Sequence, residues 1–257
     1  MTDKSHETLV DTQFGARANA YLTSTVHAQG ADLAALAMLV AGYRQARVLD
    51  LGCGGGHVAF NVAPHVGEVV AYDLSSEMLA VVASTAAERG LRNLVTQQGV
   101  AEKLPFADAS FDFVLSRFSA HHWRDVEAGL REAARVVKPG GTVAIVDAIS
   151  PGTPVFDTFL QALEMLRDPS HVRDYTRAEW VATTTRAGLI AGEARQHRLR
   201  LDFQSWLDRM RTPKVQADAI RALYAAMSAD VRQHFAIEAD NSFTIDILML
   251  VTAKPAA

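Results

Sequence analysis

The sequence predicts an α/β fold in which a doubly wound parallel sheet forms one domain over residues 1–257. Two observations predict it. Short apolar runs alternate with segments of helical periodicity across residues 46–150, and the first of these runs ends in a glycine cluster. Continuous apolar runs are typical of parallel strands buried on both faces, and their alternation with helices implies right-handed crossovers.

The order of elements follows from these patterns. Residues 1–45 are predicted to form N-terminal helices, with an apolar stripe over 31–43. Residues 46–150 form the core, with a helix at 76–89 that stops at Gly90 and a second at 125–137 that stops before Pro139. The strands of this core are predicted at 46–51, 69–72, 94–97, 111–116 and 142–147.

The pattern changes after Ser150. Residues 151–241 are predicted to add helices and one strand on the substrate side of the sheet, and residues 242–257 to form the final strand, an apolar run at 243–253. Their predicted elements are helical blocks at 154–167 and 203–236, a helix at 177–187 and a strand at 192–201. We expect the helical blocks to be insertions that cap the active edge of the sheet.

Composition excludes some classes of protein. Apolar residues make up 49% of the chain and charged residues 21%, which is close to the globular average. The net charge of −4 disfavours a nucleic-acid substrate, since such proteins usually carry a basic face. The single cysteine, the absence of a signal-peptide pattern and the lack of a membrane-length apolar stretch predict a soluble cytoplasmic protein. We expect it to be a monomer or a homodimer.

The most informative segment is the glycine cluster at residues 52–56, which follows the first predicted strand. Glycines at this edge let the backbone approach a bound ligand closely. A dinucleotide fold requires a third glycine where His57 stands, although Gly52 and Gly54 fit the first two positions. Asp50 would repel a pyrophosphate and attract an amino group, so the pattern favours a ligand with an ammonium group and no phosphate.

Asp73 ends the second predicted strand, 23 residues after Asp50. A carboxylate at this position can accept hydrogen bonds from the hydroxyls of a ribose. Leu74 and Met78 follow it and are expected to pack against an adenine ring. The alternative role for both carboxylates is to cap the helices that follow them.

Four motifs in order resemble those of class I S-adenosylmethionine (SAM)-dependent methyltransferases. Residues 50–56 resemble the family's first motif and Asp73 its ribose-binding acid. Residues 98–106, 111–114 and 135–141 are similar to the adenine loop, the fourth strand and the following turn of the ubiquinone/menaquinone methyltransferase-like branch. The resemblance implies SAM as cofactor and a Rossmann-like seven-stranded sheet with an antiparallel last strand.

One position departs from that branch, which usually has an acid where Val100 stands. The backbone of Ala101 can still bond the adenine, and Glu102 is the nearest substitute acceptor. We also count Arg117, at the end of the fourth strand, among the cofactor-binding candidates.

The candidate catalytic residues are His122, His121 and Tyr21. His121 and His122 follow the fourth strand, near the point of methyl transfer that the resemblance implies, and either imidazole could serve as a general base. A structural role in holding a loop is the alternative, whereas a metal site is disfavoured because adjacent residues seldom share a ligand sphere. Tyr21, with Phe14 and Arg17, resembles the family's N-terminal lid, against the alternative of a docked surface helix.

A loop rich in ionisable residues and the single cysteine also bear on the active site. Asp168, His171, Arg173 and Tyr175 crowd ionisable groups into one loop, which is either part of a substrate pocket or an ordinary solvated loop. Cys53 is not expected to act as a nucleophile, because the family transfers the methyl group directly.

The function predicted is SAM-dependent methyl transfer to a small molecule, with C- or O-methylation favoured and N-methylation possible. The signature of nucleic-acid amino-group methylases is absent from residues 116–119. Two alternatives remain open at this point: a nicotinamide-dependent oxidoreductase and a non-catalytic SAM-binding sensor.

Overall fold

The computed structural model describes residues 5–15 and 30–256. It contains a seven-stranded sheet with the strand order β3-β2-β1-β4-β5-β7-β6, as the family resemblance implies. The strands are β1 (Arg47–Leu51), β2 (Glu68–Asp73), β3 (Leu94–Gln98), β4 (Phe111–Arg117), β5 (Val137–Ile149), β6 (Ile190–Leu201) and β7 (Phe243–Ala253).

The predicted antiparallel last strand is confirmed. Strands β1 to β5 pair in parallel, whereas β7 lies between β5 and β6 and runs antiparallel to both. Strand β5 is longer than predicted at both ends, because Val137 pairs with Phe111 of β4 and Ile149 pairs with Asp246 of β7. The sequence alone does not show which later strand pairs with β5.

Helices cover the sheet and frame its edge. They are α1 (His6–Gly15), α2 (Ala31–Val40), α3 (His57–Val62), α4 (Ser76–Glu88), α5 (Val126–Val136), α6 (Pro154–Arg167), α7 (Arg177–Arg186), α8 (Phe203–Met210), α9 (Lys214–Ala226) and α10 (Ala229–His234). The predicted helical block at 203–236 is three helices, broken at Arg211, which has a left-handed backbone, and after Ala226. Among residues 5–15 and 30–256, no helix is long and apolar enough to cross a bilayer.

The core has two apolar layers, one on each face of the sheet. Consecutive strand residues belong to different layers: Val48 lies in one and Leu49 in the other, and Phe113 and Val114 alternate in the same way. Side chains of a strand alternate between faces, so burial on both faces produces the continuous apolar runs seen in the sequence. The inserted helices extend one layer with a cluster of aromatic side chains, formed by Phe159, Trp206, Tyr224, Phe235 and Phe243.

The fold thus places the carboxyl ends of β1, β2 and β4 at one edge, where the insertions α6 and α8 also meet it. The proposed division into an N-terminal part, a cofactor core, a substrate-side segment and a final strand stays a prediction.

Candidate active site

A cavity of about 1080 Å³ opens at the carboxyl ends of β1, β2 and β4. All ten residues predicted to bind the cofactor line it, although their contact with the cofactor stays a prediction. They are Asp50, Gly52, Gly54, Asp73, Leu74, Met78, Val100, Ala101, Glu102 and Arg117. We call this space the cofactor cavity.

The glycine loop has the backbone shape that the sequence predicts. Gly52 has a φ of 73°, and a side chain there would overlap the hydroxyl of Ser119. Gly54 has a φ of 48° and no atom within 4 Å of the place where a side chain would begin. Left-handed backbone favours glycine, and the open space at Gly54 leaves the loop backbone accessible to a ligand.

Asp50 is a buried carboxylate with one vacant hydrogen-bonding position. Its Oδ2 accepts a hydrogen bond from the backbone N–H of Ala59 at 2.9 Å, which ties β1 to helix α3. Its Oδ1 has no hydrogen-bond partner among the described residues. Burial, with a contribution from the charge of Asp73, raises the pKa of Asp50 to about 7. A cationic amino group is the partner that would lower this pKa and satisfy Oδ1.

Asp73 accepts two backbone hydrogen bonds at the end of β2. Its Oδ2 accepts from the backbone N–H of Gly54 at 2.8 Å and its Oδ1 from that of Ser75 at 2.9 Å. The carboxylate therefore connects the glycine loop to Ser75, the residue that precedes helix α4. Each carboxylate oxygen has a second lone pair, and the residue lines the cofactor cavity.

The predicted adenine end of the cavity lies between β2 and the loop after β3. The carbonyl of Val100 accepts a hydrogen bond from the Tyr72 hydroxyl at 3.1 Å, which fixes the loop that lacks the branch's usual acid. Glu102 also lines the cavity, and its Oε1 accepts from the backbone N–H of Asp125 at 3.2 Å. The opposite wall is apolar, with Met78 only 1% exposed.

Arg117 is held by partners within the protein. It forms a buried ion pair with Asp32 of α2, and its guanidinium lies 4.5 Å from the ring centre of Phe118. Phe118 itself has a φ of 52°, an unusual conformation for an aromatic residue. Such backbone strain is often found at functional sites, and Phe118 stands where β4 ends beside the cofactor cavity.

The N-terminal helix α1 covers the mouth of the cavity. His6 Nε2 lies 2.8 Å from the carbonyl of His122, and Glu7 forms an ion pair with Arg124 at 3.1 Å. Phe14 makes an edge contact with the His122 ring, with centroids 4.8 Å apart. Of the predicted lid residues, only Phe14 is described; Arg17 and Tyr21 lie outside the described residues.

The two adjacent histidines lie in different environments. His121 Nδ1 is 2.5 Å from Asp147 Oδ1, and although burial opposes it, this carboxylate raises the pKa of His121 to about 9. His122 Nδ1 lies 3.1 Å from the carbonyl of Ser170. Burial, with a contribution from the charge on His121, lowers the pKa of His122 to about 4. At neutral pH His121 is therefore cationic and His122 neutral.

A second cavity of about 610 Å³ adjoins the first, and we call it the inner cavity. Phe14, Phe118 and His122 line both. Its remaining walls come from β5, β6 and β7 and from the inserted helices α6 and α8, so these helices do contribute to the active edge. The residues that extend it are His121, Ala148, Glu164, Arg167, Asp174, Leu199, Leu201, Trp206, Arg209 and Ile245.

The loop after α6 is divided between the site and the surface. Asp168 Oδ2 lies 3.9 Å from His122 Nε2, and the His171 ring is 6.5 Å from that of His122. Arg173 instead pairs with Asp157 and Glu179, and Tyr175 packs on Trp180. The predicted substrate-pocket role therefore fits only part of the loop.

Sequence reasoning missed several residues of the site: Asp147, Glu164, Asp174 and Trp206. A carboxylate that interrupts an otherwise apolar strand, as Asp147 does in β5, is the signal that could have identified the first. Cys53 is buried, and its pKa lies well above the ordinary value because of burial and nearby carboxylates, so it is not poised as a nucleophile. In the described part of the chain, no group of three or more His, Cys, Asp or Glu residues is arranged for a metal ion.

Comparison with known proteins identifies the family. Residues 49–145 match the family model described as a methyltransferase domain. The uncharacterized methyltransferase YcgJ of Bacillus subtilis is 38% identical over 88% of this chain and 90% of its own length. This chain belongs to the class I SAM-dependent methyltransferases.

Two other relatives and one solved structure define the extent of the similarity. The uncharacterized protein YafE of Escherichia coli is 50% identical over 80% of this chain and 99% of its own length. A demethylmenaquinone methyltransferase of Chlorobaculum parvum is 39% identical, but over 45% of this chain and 46% of its own length. The crystal structure of Bacillus subtilis YcgJ superposes with a TM-score of 0.84 at 35% identity, covering 88% of this chain and 99% of that one.

The cofactor of this methyltransferase is SAM, and the cavity fits it. The vacant Oδ1 of Asp50 suits the amino group of the methionine part, and Asp73 suits the ribose. The two arginines that line the cavity, Arg117 and Arg124, are already paired with Asp32 and Glu7, which disfavours a pyrophosphate. The nicotinamide-dependent oxidoreductase is therefore set aside, and membership of a methyltransferase family disfavours the non-catalytic sensor.

Proposed function

We propose that this methyltransferase methylates an oxygen or carbon atom of a small molecule held in the inner cavity, with His122 as the general base. The observation that carries the proposal is that His122 lines both the cofactor cavity and the inner cavity. The N-terminal helix and the inserted helices enclose this junction, which supports a small acceptor over a macromolecular one.

The hydrogen bonds of His122 support its role as a base. A carbonyl oxygen only accepts, so Nδ1 must donate to Ser170 and carries the ring proton. Because the ring is neutral, Nε2 then has a free lone pair. As Nε2 takes a proton from the acceptor, the carboxylate of Asp168 at 3.9 Å stabilises the imidazolium that forms.

His121 is unsuited to be the base, since its pKa of about 9 keeps it protonated at neutral pH. Its charge beside the inner cavity would instead stabilise negative charge that develops on the acceptor. Bound SAM supplies an electrophilic methyl group, and the residues of this chain position the acceptor, exclude water and remove the proton. A base at the transfer point serves a hydroxyl or an acidic carbon, whereas a neutral amine does not need one.

The test is to offer the purified protein SAM with a deuterated methyl group and a cell extract divided by molecular size. We expect the label in the small-molecule fraction, on a product that mass spectrometry shows to gain one deuterated methyl. Label found only in nucleic acid or protein would contradict the proposal. A cytoplasmic location and a monomeric or homodimeric state stay predictions.

A further inference from the structure

Asp174 is a buried carboxylate on the wall of the inner cavity, with one oxygen left without a hydrogen bond. The residue is 1% exposed, and its Oδ2 has no hydrogen-bond partner among residues 5–15 and 30–256. The nearest imidazole nitrogen, His171 Nε2, is 3.9 Å away and bonds the side chain of Gln161 instead. Gln161 also bonds both the backbone N–H and the carbonyl of Asp174, so the loop is held in place while the carboxylate is not.

The charges around the inner cavity compensate Asp174 only in part. Glu164 lies 3.5 Å from Arg167, and both Arg167 and Arg209 act on it electrostatically. His121 is committed to Asp147. Burial and the carboxylates of Glu164, Asp147 and Asp157 raise the pKa of Asp174 well above the ordinary value, although the charge of His121 opposes this.

Burying a carboxylate in this way costs free energy unless a partner forms a hydrogen bond with it. The inner cavity also has apolar walls, formed by the aromatic residues Phe14, Phe118 and Trp206 and by aliphatic residues that include Leu199 of β6 and Ile245 of β7. His171 is near both groups: its Nε2 lies 3.9 Å from Asp174 Oδ2, and its ring centroid lies 6.5 Å from that of His122. Asp174 and His122 thus line one cavity together with apolar side chains.

We propose that Asp174 binds a protonated amine of the methyl acceptor, so that the enzyme selects molecules with an apolar body and a cationic end. This inference rests on the proposed function, because it takes the inner cavity as the acceptor site. The carboxyl group would exchange its own proton for a charge-assisted hydrogen bond with the amine.

The test uses four probes that share a phenol ring and a two-carbon arm: tyramine, tyrosol, 4-ethylphenol and 3-(4-hydroxyphenyl)propionate. They end in an ammonium, a hydroxyl, a hydrogen and a carboxylate. Affinities are measured by calorimetry on the protein with bound S-adenosylhomocysteine (SAH). We expect tyramine to bind roughly 10- to 100-fold more tightly than 4-ethylphenol, and the propionate to bind most weakly.

The variant Asp174→Asn should remove most of the preference for tyramine and leave the affinity for 4-ethylphenol within about threefold. Asp108→Asn is the matched control, because the Asp108 side chain is 78% exposed and lines neither cavity. The order in which the native protein binds the four probes tests the inference even if the variant Asp174→Asn does not fold. Tightest binding of the propionate, which would place recognition on Arg167 and Arg209, or failure of all four probes to bind would overturn it.

Titration with SAH distinguishes a failure of the proposed function from a failure of the role proposed for Asp174. If SAH does not bind, the proposed function fails. If SAH binds and the probes show no preference for the amine, the proposed function stands and only the role of Asp174 is wrong.

Discussion

His121 and His122 are adjacent in the chain, with ring centroids 4.2 Å apart, and their pKa values are displaced in opposite directions. Asp147 holds the charge on His121, while burial and that same charge keep His122 neutral. Two titratable groups separated in this way by their surroundings are a recurrent basis for acid and base roles. The pair therefore provides a cation and a neutral base side by side.

The first prediction concerns His122→Ala. If His122 is the base, turnover should fall by roughly 10²- to 10⁴-fold for a hydroxyl acceptor, while SAH affinity stays within about threefold. Single-turnover rates and a calorimetric titration on the same variant measure both quantities. The exposed His65 offers a matched control, His65→Ala, which should change neither. A variant with a lowered melting temperature and equal losses in binding and turnover would show a structural role instead.

Asp73→Ala should weaken SAH binding by roughly 2–4 kcal/mol, the loss of one or two charge-assisted hydrogen bonds. Part of this loss comes from the glycine loop, since Gly54 would lose the acceptor of its N–H. Asp108→Ala is the control, because that side chain is 78% exposed and lines neither cavity. Unchanged affinity in calorimetry would restrict Asp73 to capping α4.

SAH binding should release protons near neutral pH. The pKa of Asp50 is about 7 in the free protein, so a fraction of the molecules carry a proton there at pH 7. The amino group of the ligand would lower this pKa and expel the proton. Calorimetry at pH 7 in phosphate and in Tris, which have different heats of ionisation, measures the release. Asp50→Asn should abolish it, and equal heats in both buffers for the native protein would count against this contact.

The ion pair of His121 and Asp147 should make the free energy of unfolding fall as the pH rises into the alkaline range. The pKa of His121 is about 9 when folded and about 6.5 when unfolded, so the folded state binds more protons between these values. The stabilisation is complete below pH 6.5 and is lost as pH rises through 9, with an upper limit on the order of 3 kcal/mol. Urea unfolding at pH 6 and pH 9.5 measures this difference, and Asp147→Asn should reduce it. If the free energy of unfolding falls equally in the native protein and in Asp147→Asn, the pH dependence belongs to other groups.

Much of the fold and of the cofactor cavity could be predicted because the signals are local. The apolar runs record burial on both faces of the sheet, and Asp50, the glycine loop and Asp73 stand at strand ends that any parallel sheet brings to one edge. Helix α6 and strand β7 begin and end where the sequence predicts, since both are bounded by clear changes in polarity.

The inner cavity had no such local signal. His121 meets Asp147 across 26 positions of the chain, and His122 meets Ser170 across 48. In the sequence, Asp174 looks like a residue of an ordinary solvated loop. Only packing in the tertiary structure buries it and leaves its Oδ2 without a hydrogen bond. Local periodicity therefore determined the fold and the cofactor edge of this protein, whereas the protonation of its histidines and the chemistry of its acceptor site were decided by burial and contacts that exist only in the tertiary structure.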